Sequence, residues 1–445
     1  MTQTQDSFDA AVVGGGLGGL ATAALLARRG LRVVLLERAR TLGGRGVTEV
    51  RGGFCFNQGA HALYRGGAAA RVLAELGVRW TGRRPPSSGV AELDGRPYAL
   101  PATAGALLTT GLVGWSAKMQ GARMLARLRS LDLSPLVGVP LREWLAAEVS
   151  DPTMRATLEA FVRVTTYAHA SDQMDAAATL AQIRLGQSPG VVYVDGGWQT
   201  LVDGAAEAAR AAGAELRTGA RVTCASRSPS GDAWTVSLEG GAAPVACRAL
   251  VLATGPATAR SVVASDDLAR WALRAAPLRA ACLDLALARL PVQRSTFALG
   301  VDRPLYFSVH SRVARVAPEG AAFVSTMKYL APGAPPDAAG DLAELEAWLD
   351  RLQPGWRDVE VDRRWLPGMV TSNALVRAAD GGLAGRPGPR VPDAPGVFVV
   401  GDWVGPEGML LDASLASAAR AAHEAAPSLQ ASRSRGGPPA VARVA

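Results

Sequence analysis

The residues that most constrain this chain are 8–47, FDAAVVGGGLGGLATAALLARRGLRVVLLERARTLGGRGV. Residues 8–13 form a short apolar run of the kind buried in a parallel sheet. Residues 18–29 are rich in Ala and Leu, with Gly30 as a helix stop, and 31–37 return to strand formers. This is a strand–turn–helix–strand unit within about 30 residues.

Gly14, Gly16 and Gly19 stand at G-x-G-x-x-G spacing where the first strand gives way to the helix. The first glycine permits a tight turn, the second lets backbone approach a pyrophosphate, and the third lets helix and strand pack closely. The helix N-terminus then faces the phosphate charge. Glu37 ends the second strand 18 residues after Gly19, where a carboxylate accepts from ribose hydroxyls and repels a 2′-phosphate. NADP is therefore disfavoured. In the following TLGGRG, Gly43, Gly44 and Arg45 bring a second flexible backbone and a guanidinium to the same phosphates. A plain NAD-dependent dehydrogenase has no need of that second grip.

The rest of the chain narrows the class by exclusion. Its 445 residues are enough for two or more domains. No apolar run reaches the roughly 18 residues of a membrane span, and residues 1–9 lack an apolar signal segment, so a cytoplasmic location is expected. Cys55, Cys224, Cys247 and Cys282 form no CxxC or CxxH cluster, which favours buried free thiols over disulfides or a metal site. The net charge of +8 raises nucleic acid as a partner, but the arginines are scattered and aromatics make up 5% of the chain, so none is expected.

Strand, loop and helix patterns recur at 191–264 and 366–428, separated by a mostly helical block and a strand-rich one. The expected architecture is α/β: a nucleotide domain from 1–65, 191–264 and 366–428, a substrate domain from 66–190 and 265–365, and a disordered tail at 429–445. No second strand–GxGxxG–helix unit follows, so a dedicated NAD(P)H domain is not expected.

The combination GGGLGGL…LLER…LGGR resembles the FAD-dependent amine oxidase and phytoene desaturase superfamily. The blocks FNQGAHALYRGG (56–67), YVDGGWQTLVDGAAEAA (193–209), VLATGP (251–256) and VFVVGD (397–402) resemble family blocks in the same order. The resemblance implies a Rossmann-like FAD-binding domain of glutathione-reductase type, built from discontinuous segments, with an inserted α+β substrate domain. It implies FAD held by Gly14, Gly16, Gly19, Glu37, Arg38, Gly44, Arg45, Ala60, Thr254, Gly255, Gly401 and Asp402. Val222 would meet the adenine through its backbone, and Met409 and Leu410 would open a helix whose N-terminus faces the flavin pyrimidine. The cysteine that carries flavin covalently in some members is absent from GDWVGPEGMLLDAS, so FAD is expected to be non-covalent.

The implied activity is dehydrogenation of a small or medium apolar substrate at a C–C or C–N bond, with hydride passing to flavin N5 and electrons onward to oxygen, a quinone or another acceptor. A flavin isomerase without net redox and a flavin-free binding protein on the same fold are the competing expectations. Two catalytic candidates stand out. Lys328 is one of only two lysines among 47 basic residues, and a lysine, unlike arginine, can lose its proton when desolvated. In the family's amine oxidases a lysine positions water beside N5; a solvated surface lysine is the alternative. His61 would act as a general base or simply hydrogen-bond backbone. Tyr64, Tyr167, His169, Tyr306, His310, Tyr329 and Trp403 are candidates for the substrate pocket, Trp403 foremost because it follows Asp402. Residues 103–129 mix apolar and basic side chains, which allows peripheral membrane contact, although a covered helix is the first expectation.

Overall fold

The computed structural model describes residues 6–228 and 231–435. The apolar run near the start becomes the strand Asp6–Val13, central in a seven-stranded sheet. It pairs in parallel with Val33–Leu36 on one side and Val245–Leu252 on the other; the latter also pairs in parallel with Val397–Val399. Trp234–Leu238 and Val222–Arg227 extend the sheet in antiparallel fashion. Chain segments more than 200 residues apart thus meet through backbone hydrogen bonds, because strands buried on both faces need partners on both edges. Helix Leu17–Ala27 is buried along almost its whole length, so it has no polar face to show water. It packs against helices Gln199–Ala211 and Leu410–Arg435, with Ala21, Ala205 and Ala418 each fully enclosed. Small side chains there allow the three helices to approach closely.

A second seven-stranded sheet runs Glu360–Ser372, Leu278–Leu287, Ala322–Leu330, Leu305–Val309, Phe297–Gly300, Val90–Leu93, Arg96–Ala99. Alternation along these strands gives it two different faces. One carries Leu285, Phe307 and Val324 against helix Ala338–Leu352, whose Trp348 is fully buried. The other carries Cys282, Tyr306, Met327 and Tyr329 toward Ala60 and helices Trp115–Leu128 and Pro152–Thr166.

The element boundaries depart from expectation in three places. Helix Ala68–Glu75, lying after the expected break at 65, packs Ala69, Val72 and Leu73 into the core of the first sheet's helices. Strand Glu360–Ser372 stays in the second sheet past 366. The last helix runs to Arg435, so 429–435 is helical, and 436–445 lies outside the described residues. Helix Trp115–Leu128 is partly covered: Ala117, Gly121 and Leu128 are buried, while Trp115 is 65% exposed and Met119, with Leu108 of the preceding helix, is also open. Cys224 is likewise exposed, while the other three cysteines are buried free thiols. Among the described residues no helix is long and apolar enough to cross a membrane.

Candidate functional site

A cavity of about 820 Å³ opens at the carboxyl ends of the parallel strands of the first sheet and extends toward the second. Gly14, Gly16 and Gly19 line it as the turn between the first strand and its helix. The three glycines are required for separate reasons. Gly14 adopts φ +110°, and a Cβ there would lie 2.4 Å from the Ala253 carbonyl oxygen. At Gly19 a Cβ would come within 2.0 Å of the Gly14 carbonyl oxygen, so helix and turn are in direct backbone contact. At Gly16 the nearest atom to a Cβ is 3.8 Å away, and the side-chain direction opens on space that a ligand's phosphates would fill. Gly16 also caps helix Leu17–Ala27 without a side-chain hydrogen bond, leaving the first-turn N–H groups available to an anion.

Glu37 is positioned by this turn as much as by any ribose. Its Oε2 accepts from the Gly15 N–H at 2.6 Å and its Oε1 from the Ala39 N–H at 2.7 Å. Each oxygen retains a lone pair for a ligand hydroxyl. The LGGR segment folds back so that Gly16 and Gly43 form an isolated β-bridge. Gly43 and Gly44 both take positive φ there.

Arg45 reaches across to Asp402, with Nη1 donating to Oδ2 at 2.8 Å and to the Thr371 carbonyl at 3.0 Å. Asp402 is buried and also accepts from the Asn373 N–H at 3.0 Å and Nδ2 at 2.8 Å. Burial alone would raise this carboxyl. The Arg45 guanidinium and the Asn373 donors overcome that and hold it below the usual carboxylate range, as a fixed anion. Asn373 is a site residue that its sequence context, TSNALV, does not advertise.

Arg38, Gly44, Ala60, Val222, Thr254, Gly255, Gly401 and Leu410 also line the cavity. Met409 does not: it is buried with Ala178 and Val376. Trp403, expected in the substrate pocket, turns into the core. Its Nε1–H donates to the Thr254 carbonyl at 2.9 Å, and its ring lies 6.2 Å from that of Trp271.

Lys328 is not brought to the cavity. It pairs across strands with Leu305 and shares that residue's face, where its Nζ meets Asp341 and Glu344 of the covering helix at 2.7 Å each. Those two carboxylates raise its pKa against the opposing effect of burial, so the ammonium stays charged. Its neighbours Met327 and Tyr329 point the other way, toward Ala60.

His61 does line the cavity, 4.4 Å centroid to centroid from Trp198. Its Nδ1 is 2.8 Å from the Gly59 carbonyl. Burial lowers its pKa to about 4, with the Arg45 charge adding to the effect, so the imidazole is neutral at ordinary pH. Tyr64 and Tyr167 border the same region, but their hydroxyls are engaged, donating to Thr165 O at 2.7 Å and Ala60 O at 2.9 Å. Tyr306, His310 and Tyr193 form a buried set behind this wall. There the Tyr193 and Tyr306 hydroxyls are 3.1 Å apart and the Tyr193 and His310 rings are stacked at 4.1 Å. His169 borders a separate small pocket with Arg163 and Met174.

The turn, open helix N-terminus, carboxylate at the second strand end and Arg45–Asp402 pair define a dinucleotide-binding oxidoreductase. The comparisons agree: a model of the FAD-dependent oxidoreductase family matches residues 9–414, and the chain belongs to that family. FAD is its cofactor, and the groups described above suit it: open donors for the pyrophosphate, a carboxylate for the ribose, and room beyond for the ring system. Among curated proteins, a 78-residue stretch is 41% identical to a phytoene desaturase of Cercospora nicotianae, covering 18% of this chain and 13% of that protein. An 84-residue stretch is 44% identical to the carotenoid phi-ring synthase of Streptomyces griseus, covering 17% and 16%. The chain therefore matches well under two thirds of either relative. Wild-type putrescine oxidase bound to putrescine superposes with a TM-score of 0.71 at 16% identity, over 94% of this chain and 98% of that one. Cyclohexylamine oxidase from Brevibacterium oxydans IH-35A gives 0.68 at 15%, over 96% and 100%. At these identities the structural likeness shows the fold.

Proposed function

We propose that this FAD-dependent oxidoreductase dehydrogenates a small or medium apolar substrate at a C–C or C–N bond. The first sheet and its helices serve as the cofactor domain, and the second sheet with its helices as the substrate domain. The observation that carries the reading is the wall beyond the phosphate grip. Ala60, Ala62, Leu63, Tyr64, Tyr167, Met369 and Val370 line the cavity with uncharged surface, and His61 among them is neutral. Such a wall welcomes apolar surface and penalises an ionised group that lacks a partner. Bound FAD supplies the electron-pair acceptor, with its reoxidation by oxygen, a quinone or another small acceptor. None of Cys55, Cys224, Cys247 and Cys282 lines the cavity, which supports non-covalent attachment.

In this reading the chain's own residues bind, orient and exclude water, and His61 is a wall rather than a base. Burial lowers its pKa to about 4, which makes it a weak acceptor for a substrate proton. The experiment is anaerobic mixing of the purified protein with panels of amines and of apolar alkenes, following loss of the oxidised-flavin absorption band. Bleaching by a member of either panel is expected. Turnover of a substrate with no net bleaching and no acceptor consumed would instead establish the isomerase reading, and a protein that never takes up flavin the binding-protein reading. The His61→Phe variant should reduce within about tenfold of wild type, because a positioned general base contributes about 10²–10⁴; a larger loss would restore His61 as the base.

Peripheral membrane contact is a second part of the proposal, favoured by one surface. Leu108, Trp115 and Met119 are exposed beside Lys118, Arg123 and Arg129, and no Asp or Glu occurs between Asp94 and Asp132. An apolar stripe with a basic border suits an anionic lipid surface. Sedimentation with phosphatidylglycerol vesicles is expected, with loss of binding in Trp115→Glu; a protein that stays in the supernatant at low salt removes this part.

A further inference from the structure

The short hairpin after the LGGR segment joins two parts of the chain that both reach the cavity. Its strands Thr48–Arg51 and Phe54–Asn57 pair antiparallel with Thr48 opposite Asn57, and both residues are buried. Their side chains meet: the Thr48 hydroxyl donates to Asn57 Oδ1 at 2.6 Å. The same two side chains hold the start of helix Gln199–Ala211, although Asn57 and Trp198 lie 141 residues apart in sequence. Asn57 Oδ1 accepts from the Trp198 N–H at 3.0 Å, and Thr48 Oγ1 accepts from the Gln199 N–H at 3.0 Å. Trp198 is the N-cap of that helix and offers no side-chain cap of its own, so the hairpin satisfies donors that the helix leaves orphaned. Gly197, at φ +80°, makes room for the junction. A Cβ there would lie 2.6 Å from Thr48 Oγ1 and 2.8 Å from Asn57 Oδ1.

What this junction holds in place faces the cavity. Trp198 and His61 both line it, with ring centroids 4.4 Å apart. Asn57 anchors both rings. Its side chain holds the Trp198 backbone, and its carbonyl accepts from the Gly59 N–H at 2.9 Å. The Gly59 carbonyl in turn lies 2.8 Å from His61 Nδ1. Arg364 Nη1 also donates to the Asn57 carbonyl, at 3.0 Å. The ring pair flanks the phosphate grip. Trp198 shares an apolar cluster with Leu17, which opens the helix after the glycine turn, and with Val202. A Cβ at Gly43 or Gly46 would meet Val202 at 3.3 or 3.2 Å, so the LGGR segment rests on the same cluster. The Arg45 charge likewise reaches His61.

We infer that Thr48 and Asn57 are positioning residues of the cofactor site, which fix Trp198 beside His61 as a rigid aromatic wall for bound FAD. The inference rests on FAD filling the cavity. Neither Thr48 nor Asn57 lines the cavity, so both act through residues that do. The Thr48 hydroxyl is the part of the junction that an apolar side chain of the same shape cannot replace. It donates to Asn57 and accepts from Gln199 at once. Valine keeps the shape, but leaves the Asn57 oxygen one donor short and the Gln199 N–H without its acceptor. The Trp198 segment then gains freedom that FAD binding must remove, which lowers affinity.

The test is release of FAD from diluted holoprotein, read as recovery of free flavin fluorescence. It compares wild type, Thr48→Val, Thr48→Ser, Trp198→Ala and the double variant of Thr48→Val with Trp198→Ala. Thr48→Val should raise Kd about tenfold, as expected for one lost hydrogen bond. Thr48→Ser retains the hydroxyl and should stay within about twofold of wild type. Trp198→Ala should weaken FAD by at least about tenfold through loss of the aromatic contact. Once Trp198 is gone, the Thr48→Val effect should vanish, because the two residues act through one contact. A hydroxyl that serves the fold in general would weaken FAD by the same factor in both backgrounds, and that result overturns the proposal. So does Thr48→Ser binding as weakly as Thr48→Val. Trp198→Ala with a wild-type Kd also overturns it, and that result decides the matter even where Thr48→Val fails to fold. A wild type that takes up no flavin overturns the assignment of FAD to this cavity itself.

Discussion

Gly16→Val protein is expected to fold normally and to purify without colour. Gly16 sits at φ −74° and ψ 173°, backbone angles that any L-residue adopts. A Cβ there approaches nothing closer than the Gly43 carbonyl oxygen at 3.8 Å. The valine methyls therefore enter space reserved for phosphate oxygens, and the first-turn N–H groups can no longer be reached. Loss of the pyrophosphate contacts should weaken FAD by at least about 100-fold, roughly 3 kcal/mol. The melting temperature of the flavin-free protein should stay close to that of flavin-free wild type. Gly19→Ala is the contrasting control. Its added carbon would lie 2.0 Å from the Gly14 carbonyl oxygen, so strand and helix must separate, at about 1–3 kcal/mol of overpacking. The pair of measurements is flavin absorbance per protein and thermal unfolding. A yellow, fully loaded Gly16→Val protein would falsify the placement of the phosphates at this turn.

Arg45→Ala should cost both cofactor and stability, and the stability cost should depend on pH. In wild type the guanidinium balances Asp402, whose side chain is 2% exposed. Removing one partner of a buried pair leaves an uncompensated charge and costs about 3–5 kcal/mol when both are enclosed. Here Arg45 is 44% exposed and water screens part of its contribution, while Asn373 still donates twice to Asp402. A loss of about 2 kcal/mol at pH 7 is therefore expected for the flavin-free protein. Asp402 has its folded pKa depressed, so its stabilisation is present above the ordinary carboxylate value and is lost as pH falls through the lower folded value. The gap between wild type and Arg45→Ala should accordingly narrow as pH is lowered from 7 toward 3. Urea unfolding at several pH values measures it. A gap that stays constant over that range would mean that Arg45 acts through the Thr371 carbonyl instead.

The two variants probe different kinds of information. Gly16 could be read from sequence because its constraint is local. A turn between a strand and the next helix needs glycine at set spacings, and every participant lies within a few residues. Arg45 stood out in the sequence as a candidate for the phosphates, but its partner did not, because Asp402 lies 357 residues away.

Lys328 and Trp403 lie away from the cavity for a similar reason. Lys328 stood out by composition, yet composition says nothing about which face of a strand a side chain occupies. Its register with Leu305 sends it to the helix-covered face, where Asp341 and Glu344 hold it. Trp403 follows Asp402 in sequence and points away from the cavity, because its indole N–H has a backbone partner in the core. Asp412 carried no sequence signal at all. A carboxylate in the first turn of a helix is ordinary, and only the approach of Gly67 and Ala69 encloses it.

By itself, then, the sequence determined the strand–turn–helix–strand unit, the glycine positions and a carboxylate at the second strand's end, all properties of short-range backbone geometry, and its blocks resembled those of the FAD family. Tertiary structure alone decided which charges are paired, which aromatics face the cavity and which carboxyls are enclosed. Those outcomes depend on burial and on neighbours hundreds of residues distant, and desolvation exists only once the chain has closed around a group.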